Sequence, residues 1–147
     1  SVMWNLMDSL EVSPEAPRIV IATPLNHRHE LGALAVALIV RESGWRSCYF
    51  GANLPADEIA AAVISTDARA VALSLTFSLN QRQLVKEAKK LRHLLSEEIT
   101  LFIGGQGAPS IINEIDNDNV HLLVDLESFS VALDNLLRRG YKQRVDN

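Results

Sequence analysis

Cysteine and aromatic residues are scarce in this chain of 147 residues, which has a single cysteine, Cys48, and 5% aromatic residues. One cysteine excludes a disulfide framework and a thiolate metal cage, so a reducing, cytoplasmic setting is the default expectation. Long apolar runs are also lacking, because the longest, 33–40, has fewer than half of the roughly 20 residues that a membrane helix needs. Neither a membrane span nor a signal peptide is expected.

An excess of basic charge is lacking too, since 14 Lys and Arg face 18 Asp and Glu, a net charge of −4. Phosphate contacts need clustered Lys and Arg, so nucleic-acid binding by this chain alone is not expected. The basic run 86–92 contains Glu87 and is followed by Glu97 and Glu98, which favours an ordinary solvated surface. Ser1 stands where an initiator methionine would be expected, which indicates a piece of a longer protein.

What the chain does have is a globular balance of 48% apolar and 22% charged residues, with short apolar strands alternating with helical segments. The predicted strands are 18–23, 47–50, 70–75, 100–103 and 120–124. The predicted helices are 30–43, one that begins at Pro55, 80–95, 109–115 and 126–139. Such alternation predicts an α/β fold, a flavodoxin-like (Rossmann-like) doubly wound five-stranded parallel sheet with helices on both faces. We expect 1–16 to be the tail of an upstream helical element with a linker, 17–141 the domain, and 142–147 a C-terminal tail.

Ligands of such folds bind beyond the carboxyl ends of the strands, where three distinctive segments fall. They are Asn26-His27-Arg28-His29-Glu30-Leu31-Gly32, Ser74-Leu75-Thr76 and Gly104-Gly105-Gln106-Gly107. Each has an ordinary interpretation when taken alone: a polar turn, a hydroxyl bonded to the backbone, and a tight turn. A histidine pair could bind a metal, but a zinc site needs about three to four ligands, and no cluster elsewhere completes the set.

Together the three segments are more specific. His29-x-x-Gly32, then 41 residues, Ser74-x-Thr76, then 27 residues, and Gly104-Gly105 form one pattern. It resembles the signature of cobalamin-binding domains, Asp-x-His-x-x-Gly, Ser-x-Leu or Ser-x-Thr, and Gly-Gly, and the resemblance covers 18–139. The surrounding stretches are most similar to the cobalamin domains of MerR-type light-responsive transcriptional regulators; they are 23–32, 49–51, 72–74 and 102–107.

This resemblance implies the cofactor, cobalamin in its adenosyl or methyl form, and the residues that hold it. It implies that His29 is the lower axial ligand of cobalt and displaces the cofactor's own dimethylbenzimidazole, a base-off state. It further implies that a glycine on the first helix, two hydroxyl residues and a glycine pair accommodate the displaced nucleotide tail. These positions are Gly32, Ser74, Thr76, Gly104 and Gly105.

The sequence departs from the family pattern at His27, where the family usually has a carboxylate. A carboxylate there would orient the ligand imidazole and raise its basicity. We include His27 in the predicted cofactor site, with the strength of the cobalt–His29 bond in question. In the regulators an upstream helical bundle contributes a Trp and a Glu-His motif; Trp4 has no such motif between it and Arg18, so the bundle is expected before Ser1.

Three functions are consistent with the sequence. The first is the cobalamin-binding sensory module of a transcriptional regulator, which is not an enzyme and reaches DNA only through an upstream domain. The alternative is the corrinoid carrier module of a cobalamin-dependent methyltransferase or mutase. The third is a flavodoxin-like response domain that has lost the cofactor. His27 and Gln106-Gly107 favour the regulator, whereas light sensing, target genes and homo-oligomerisation stay open.

Overall fold

The computed structural model describes five stretches of the chain: 13–22, 30–50, 55–75, 80–115 and 119–146. Within them, side chains are described except at 30–34 and beyond 140.

The described residues form one sheet of five parallel strands in the order β2-β1-β3-β4-β5. The strands are β1 (Arg18–Ala22), β2 (Arg46–Tyr49), β3 (Ala70–Ser74), β4 (Thr100–Gly104) and β5 (Val120–Leu122). The register pairs Ile21 with Ala72 and Ala72 with Phe102, so side chains at these positions share one face of the sheet. The predicted parallel, doubly wound fold is confirmed.

The helices alternate with the strands as the sequence predicted. They are α1 (Glu30–Glu42), α2 (Ala56–Thr66), α3 (Gln81–Leu94), α4 (Ala108–Ile111), which continues as a 3₁₀ turn (Ile112–Glu114), and α5 (Leu126–Asp146). The predicted end of α5 at Arg139 was wrong, because the helix continues through Gly140. A side chain at 140 would overlap the Arg69 guanidinium, so this glycine permits close packing and does not end the helix. No helix among the described stretches is long and apolar enough to cross a bilayer.

Strand alternation divides the core into two layers, one on each face of the sheet. Val20, Val71 and Leu101 face α2 and α3, whereas the intervening strand residues face α1 and α5. On the α1/α5 face Trp45 is 1% exposed, and its indole Nε1–H donates to the Leu133 carbonyl oxygen at 3.2 Å. The Trp45 ring therefore fills part of this face near the amino end of β2.

Arg92 contradicts the expectation that 86–92 is solvated surface. Its side chain is 6% exposed, and its guanidinium donates to the carbonyl oxygens of Ile99 at 2.6 Å and of Asn119 at 3.2 Å. It also donates to the Ser96 carbonyl oxygen at 2.5 Å, and burial lowers the pKa of Arg92. Arg92 thus ties the end of α3 to the starts of β4 and β5.

Replacing Arg92 with glutamine should lower the free energy of unfolding by about 1–3 kcal/mol, because buried carbonyl oxygens lose charged donors. The matched change Arg82→Gln, at an exposed position of the same helix, should stay within about 0.5 kcal/mol of the parent. Urea titration followed by circular dichroism measures both. Equal losses in the two variants would contradict a tying role for Arg92.

Candidate functional site

The site predicted from the sequence lies at the carboxyl edge of the sheet. The chain leaves β1 for β2 on one side and returns to β3 on the other, so the strand order reverses between β1 and β3. Ligands of doubly wound sheets bind at such a switch point. In the sequence, one distinctive segment comes after β1, and the other two begin with the last residues of β3 and β4.

At this edge a cavity of about 180 Å³, here called the slot, opens on the α1/α5 face. Its floor is made of sheet residues, Ile21, Ala72, Ser74 and Gly104. Its walls come from α1, from α5 and from the connection between β5 and α5. The wall residues are Val36, Leu123, Val124, Asp125, Leu126 and Phe129.

The slot is open because the residues beneath it are small. Along the α1/α5 face β3 contributes Ala70, Ala72 and Ser74, and β4 changes from Phe102 to Gly104 at its carboxyl end. The slot's volume is below the roughly 300–1,000 Å³ of pockets that enclose a whole small ligand. It therefore suits a narrow part of a larger ligand. Ser74, which is half-buried, provides a hydroxyl in a mostly apolar lining.

The two glycines after β4 have different roles. A Cβ at Gly104 would lie 3.2 Å from the Leu123 Cβ, so any side chain there would crowd Leu123 and narrow the slot. Gly105 has φ +93°, a conformation that favours glycine, and a Cβ there would overlap the Leu75 carbonyl oxygen. That oxygen also accepts the Gly107 N–H at 3.3 Å. Gly105 is thus required by the turn itself, and Gly104 by the slot.

Sequence reasoning missed the connection from β5 to α5. Val124 is 75% exposed and Leu126 is 44% exposed, so two large apolar residues form the rim of the slot. Asp125 between them accepts the Ser128 N–H at 2.7 Å, which lowers the pKa of Asp125 and commits its carboxylate to the start of α5. Parallel strands end at the same edge, so the position after β5 was the signal that could have identified these residues.

Of the seven predicted site residues, Ser74, Gly104 and Gly105 line the slot together. Gly32 lies in the first turn of α1, four residues before the wall residue Val36. The other three, His27, His29 and Thr76, lie outside the described residues. Among the described ones, no group of three or more His, Cys, Asp or Glu side chains could hold a metal ion.

A second and larger cavity, about 600 Å³, opens at the opposite, amino edge of the sheet. Its charged lining is mixed, with Arg69 and Arg139 beside Asp67 and Glu98. Ligands of this fold class bind at the carboxyl ends of the strands, so position and not volume identifies the slot as the candidate site.

Fold and slot together define a doubly wound α/β domain with a candidate ligand site at its carboxyl edge. Residues 17–116 match the family described as the B12 binding domain, and the chain belongs to this family. The family match therefore identifies cobalamin as its cofactor. The slot fits part of this group, because its floor is small-sided and Gly104 leaves space that a Cβ would occupy.

One similar protein is the HTH-type transcriptional repressor CarA of Myxococcus xanthus, 34% identical over 70 residues, which are 48% of this chain and 24% of that protein.

Solved structures share the fold at lower identity. A cobalamin-binding protein from Desulfitobacterium hafniense DCB-2 has TM-score 0.62 and 20% identity, covering 84% of this chain and 59% of that one. The methanol:cobalamin methyltransferase complex MtaBC of Methanosarcina barkeri has TM-score 0.67 and 15% identity, covering 93% and 52%. The monomethylamine corrinoid protein of Methanosarcina barkeri has TM-score 0.64 and 14% identity, covering 92% and 63%. The chain spans less than two thirds of the length of each of these proteins.

Proposed function

We propose that the chain is the cobalamin-binding sensory module of a transcriptional regulator and holds the cofactor base-off, with His29 as the lower axial ligand of cobalt. The observation that carries the regulator assignment is the 34% identity to a transcriptional repressor over 70 residues. Recognition of DNA sequence is assigned to a domain outside this chain. That assignment agrees with the net charge of −4.

The slot supports the base-off part of the proposal, because it is a narrow site at the carboxyl edge of the sheet, whose wall includes α1, and residue 29 directly precedes α1 in sequence. When bound, cobalamin supplies a cobalt ion whose axial ligands can be exchanged. Ser74 offers a hydroxyl to polar atoms of the tail, and Gly104 leaves space for its base. Val36, Leu126 and Phe129 line the slot with apolar side chains, which would shield a bound tail from water.

The alternative is a corrinoid carrier module of a methyltransferase or mutase. Two of the solved structures are a corrinoid protein and a methyltransferase complex, but at 14% and 15% identity they support the fold alone. Position 27 has neither the aspartate usual in the enzyme branch nor the glutamate often found in the regulators, so His27 departs from both patterns. The regulator is therefore the function that the observations support best.

An experiment in the organism that encodes the protein tests the proposal. Transcripts are compared with and without a cobalamin supply, in strains that carry the unchanged chain or His29→Ala. If the protein is a regulator, transcript levels change with the cobalamin supply in the strain that carries the unchanged chain, and do not change in the strain that carries His29→Ala. A carrier gives a growth defect on a methylated substrate with transcripts unchanged, and that result would overturn the regulator assignment.

Restoring the carboxylate that the family usually has at position 27 should strengthen cofactor binding. In the variant His27→Asp the new carboxylate would accept the ring N–H of His29, and partners of this kind are worth about 10–100-fold in metal affinity. Titration followed by visible absorbance measures the dissociation constant. The matched control is His93→Asp, the same change at an exposed position of α3, which should leave affinity unaltered. Unaltered affinity in both variants would mean that residue 27 does not contact His29.

A further inference from the structure

The outer face of α3 carries a row of basic side chains, here called the basic stripe: Arg82, Lys86, Lys89 and His93. All four are exposed. At about 100° per residue they fall within an arc of about 60°, directly opposite the buried residues Leu84 and Leu91. At about 1.5 Å per residue the stripe is about 16 Å long.

The acidic residues near the stripe in sequence do not interrupt it, and Glu97 and Glu98 come after the end of α3. The Glu87 carboxylate accepts the Ala56 N–H at 3.1 Å and so turns away to the start of α2. The Asp57 carboxylate pairs with the Lys90 ammonium at 3.2 Å. Lys90 lies beside the stripe and not within it. Glu98 lines the cavity at the amino edge of the sheet. Within the described stretches none of the four stripe residues forms an ion pair, so the expected mixed-charge surface is an unbroken basic row.

The composition of the stripe favours phosphate over protein as its partner. Protein interfaces are anchored by aromatic and large apolar residues and are depleted of lysine. The exposed large apolar residue of α3, Leu94, lies about 100° round the helix from His93 and so outside the stripe. Phosphate oxygens are contacted by Lys and Arg side chains, which occupy three of the four stripe positions. Membrane insertion would need an exposed apolar face, and that face of α3 is packed on the sheet.

We propose that the basic stripe contacts the phosphate backbone of duplex DNA without reading its sequence. The inference rests on the proposed function, because only a regulator held on DNA by another domain would gain from such contacts. It adds a weak second contact to the expectation that DNA is reached only through an upstream domain. The stripe lies on the α2/α3 face and the slot on the α1/α5 face, so DNA and cobalamin do not compete for the same surface.

The test is a titration of the isotope-labelled chain with a short duplex of arbitrary sequence, at several salt concentrations, followed by amide chemical shifts. Shifts should centre on 82–93. The logarithm of affinity should fall with the logarithm of salt by about 0.9 per neutralised phosphate, hence by about 2.7 for the three permanently charged side chains. In the double variant Lys86→Gln, Lys89→Gln this slope should shrink by about 1.8.

The matched control is Arg138→Gln, Arg139→Gln, which removes the same charge from exposed positions of α5 and should keep the slope of the parent. The inference is overturned if α3 amides do not shift, if both double variants lose the slope equally, or if an acidic peptide or anionic vesicle binds and the duplex does not. Cobalamin binding is measured on the same samples. If cobalamin binds but the stripe does not contact the duplex, only the stripe assignment fails. If cobalamin does not bind, the proposed function fails.

Discussion

Cobalamin added to the variant His29→Ala should not give the histidine-ligated visible spectrum that the unchanged chain gives. In the proposal His29 supplies the nitrogen below cobalt, and alanine has no atom that can replace it. Residue 29 comes directly before α1, whose first turn contains Gly32. The expected effect is complete loss of the histidine-on spectrum, measured by absorbance at saturating cofactor.

Two comparisons make this result specific to His29. The variant should keep the helical circular dichroism of the parent, which separates loss of a ligand from loss of the fold. The variant His121→Ala removes an exposed imidazole from β5 and should keep the histidine-on spectrum. A histidine-on spectrum that survives in His29→Ala but disappears in another histidine variant would assign the ligand to that residue instead.

The strands could be predicted because the apolar runs that favour a strand locally are also the residues that the sheet buries. In β3 four of the five residues are apolar, and Ala70 to Leu73 are buried, so a central parallel strand was the expected interpretation. The end of α5 could not be predicted, because Gly140 is a helix stop by propensity alone. The Arg69 guanidinium that occupies the space beside it comes from a residue about 70 positions away in sequence.

Site residues could be predicted where the residue type itself is distinctive at a strand end, as at Ser74 and the glycine pair. They were missed where lining residues are ordinary apolar ones, such as Leu126 and Phe129, which look like any other part of a helix. Arg92 was misassigned for a related reason. It lies two turns after Val85 on the edge of the buried face, and only the tertiary structure brings carbonyl oxygens to it.

Substitutions at Gly104 and Gly105 should separate an effect on the stability of the fold from an effect on cofactor binding. Gly105→Ala should lower the free energy of unfolding by more than about 2 kcal/mol, because the positive φ alone costs about 1–2 kcal/mol and the new Cβ overlaps the Leu75 carbonyl oxygen. In a domain of this size that corresponds to a fall of about 4–8 °C or more in Tm. Thermal unfolding of the cofactor-free chain measures it.

Gly104→Val should do the opposite, leaving Tm within about 4 °C of the parent while weakening cobalamin binding more than about tenfold. Valine suits a strand, and its methyl groups can occupy the empty slot at the cost of a small shift of Leu123. When cobalamin is added, those methyl groups take the space proposed for the nucleotide tail. Unfolding curves and cobalamin titrations on both variants separate the effects. Unchanged affinity in Gly104→Val would remove the slot from the cofactor site, since the substituted side chain has nowhere else to go.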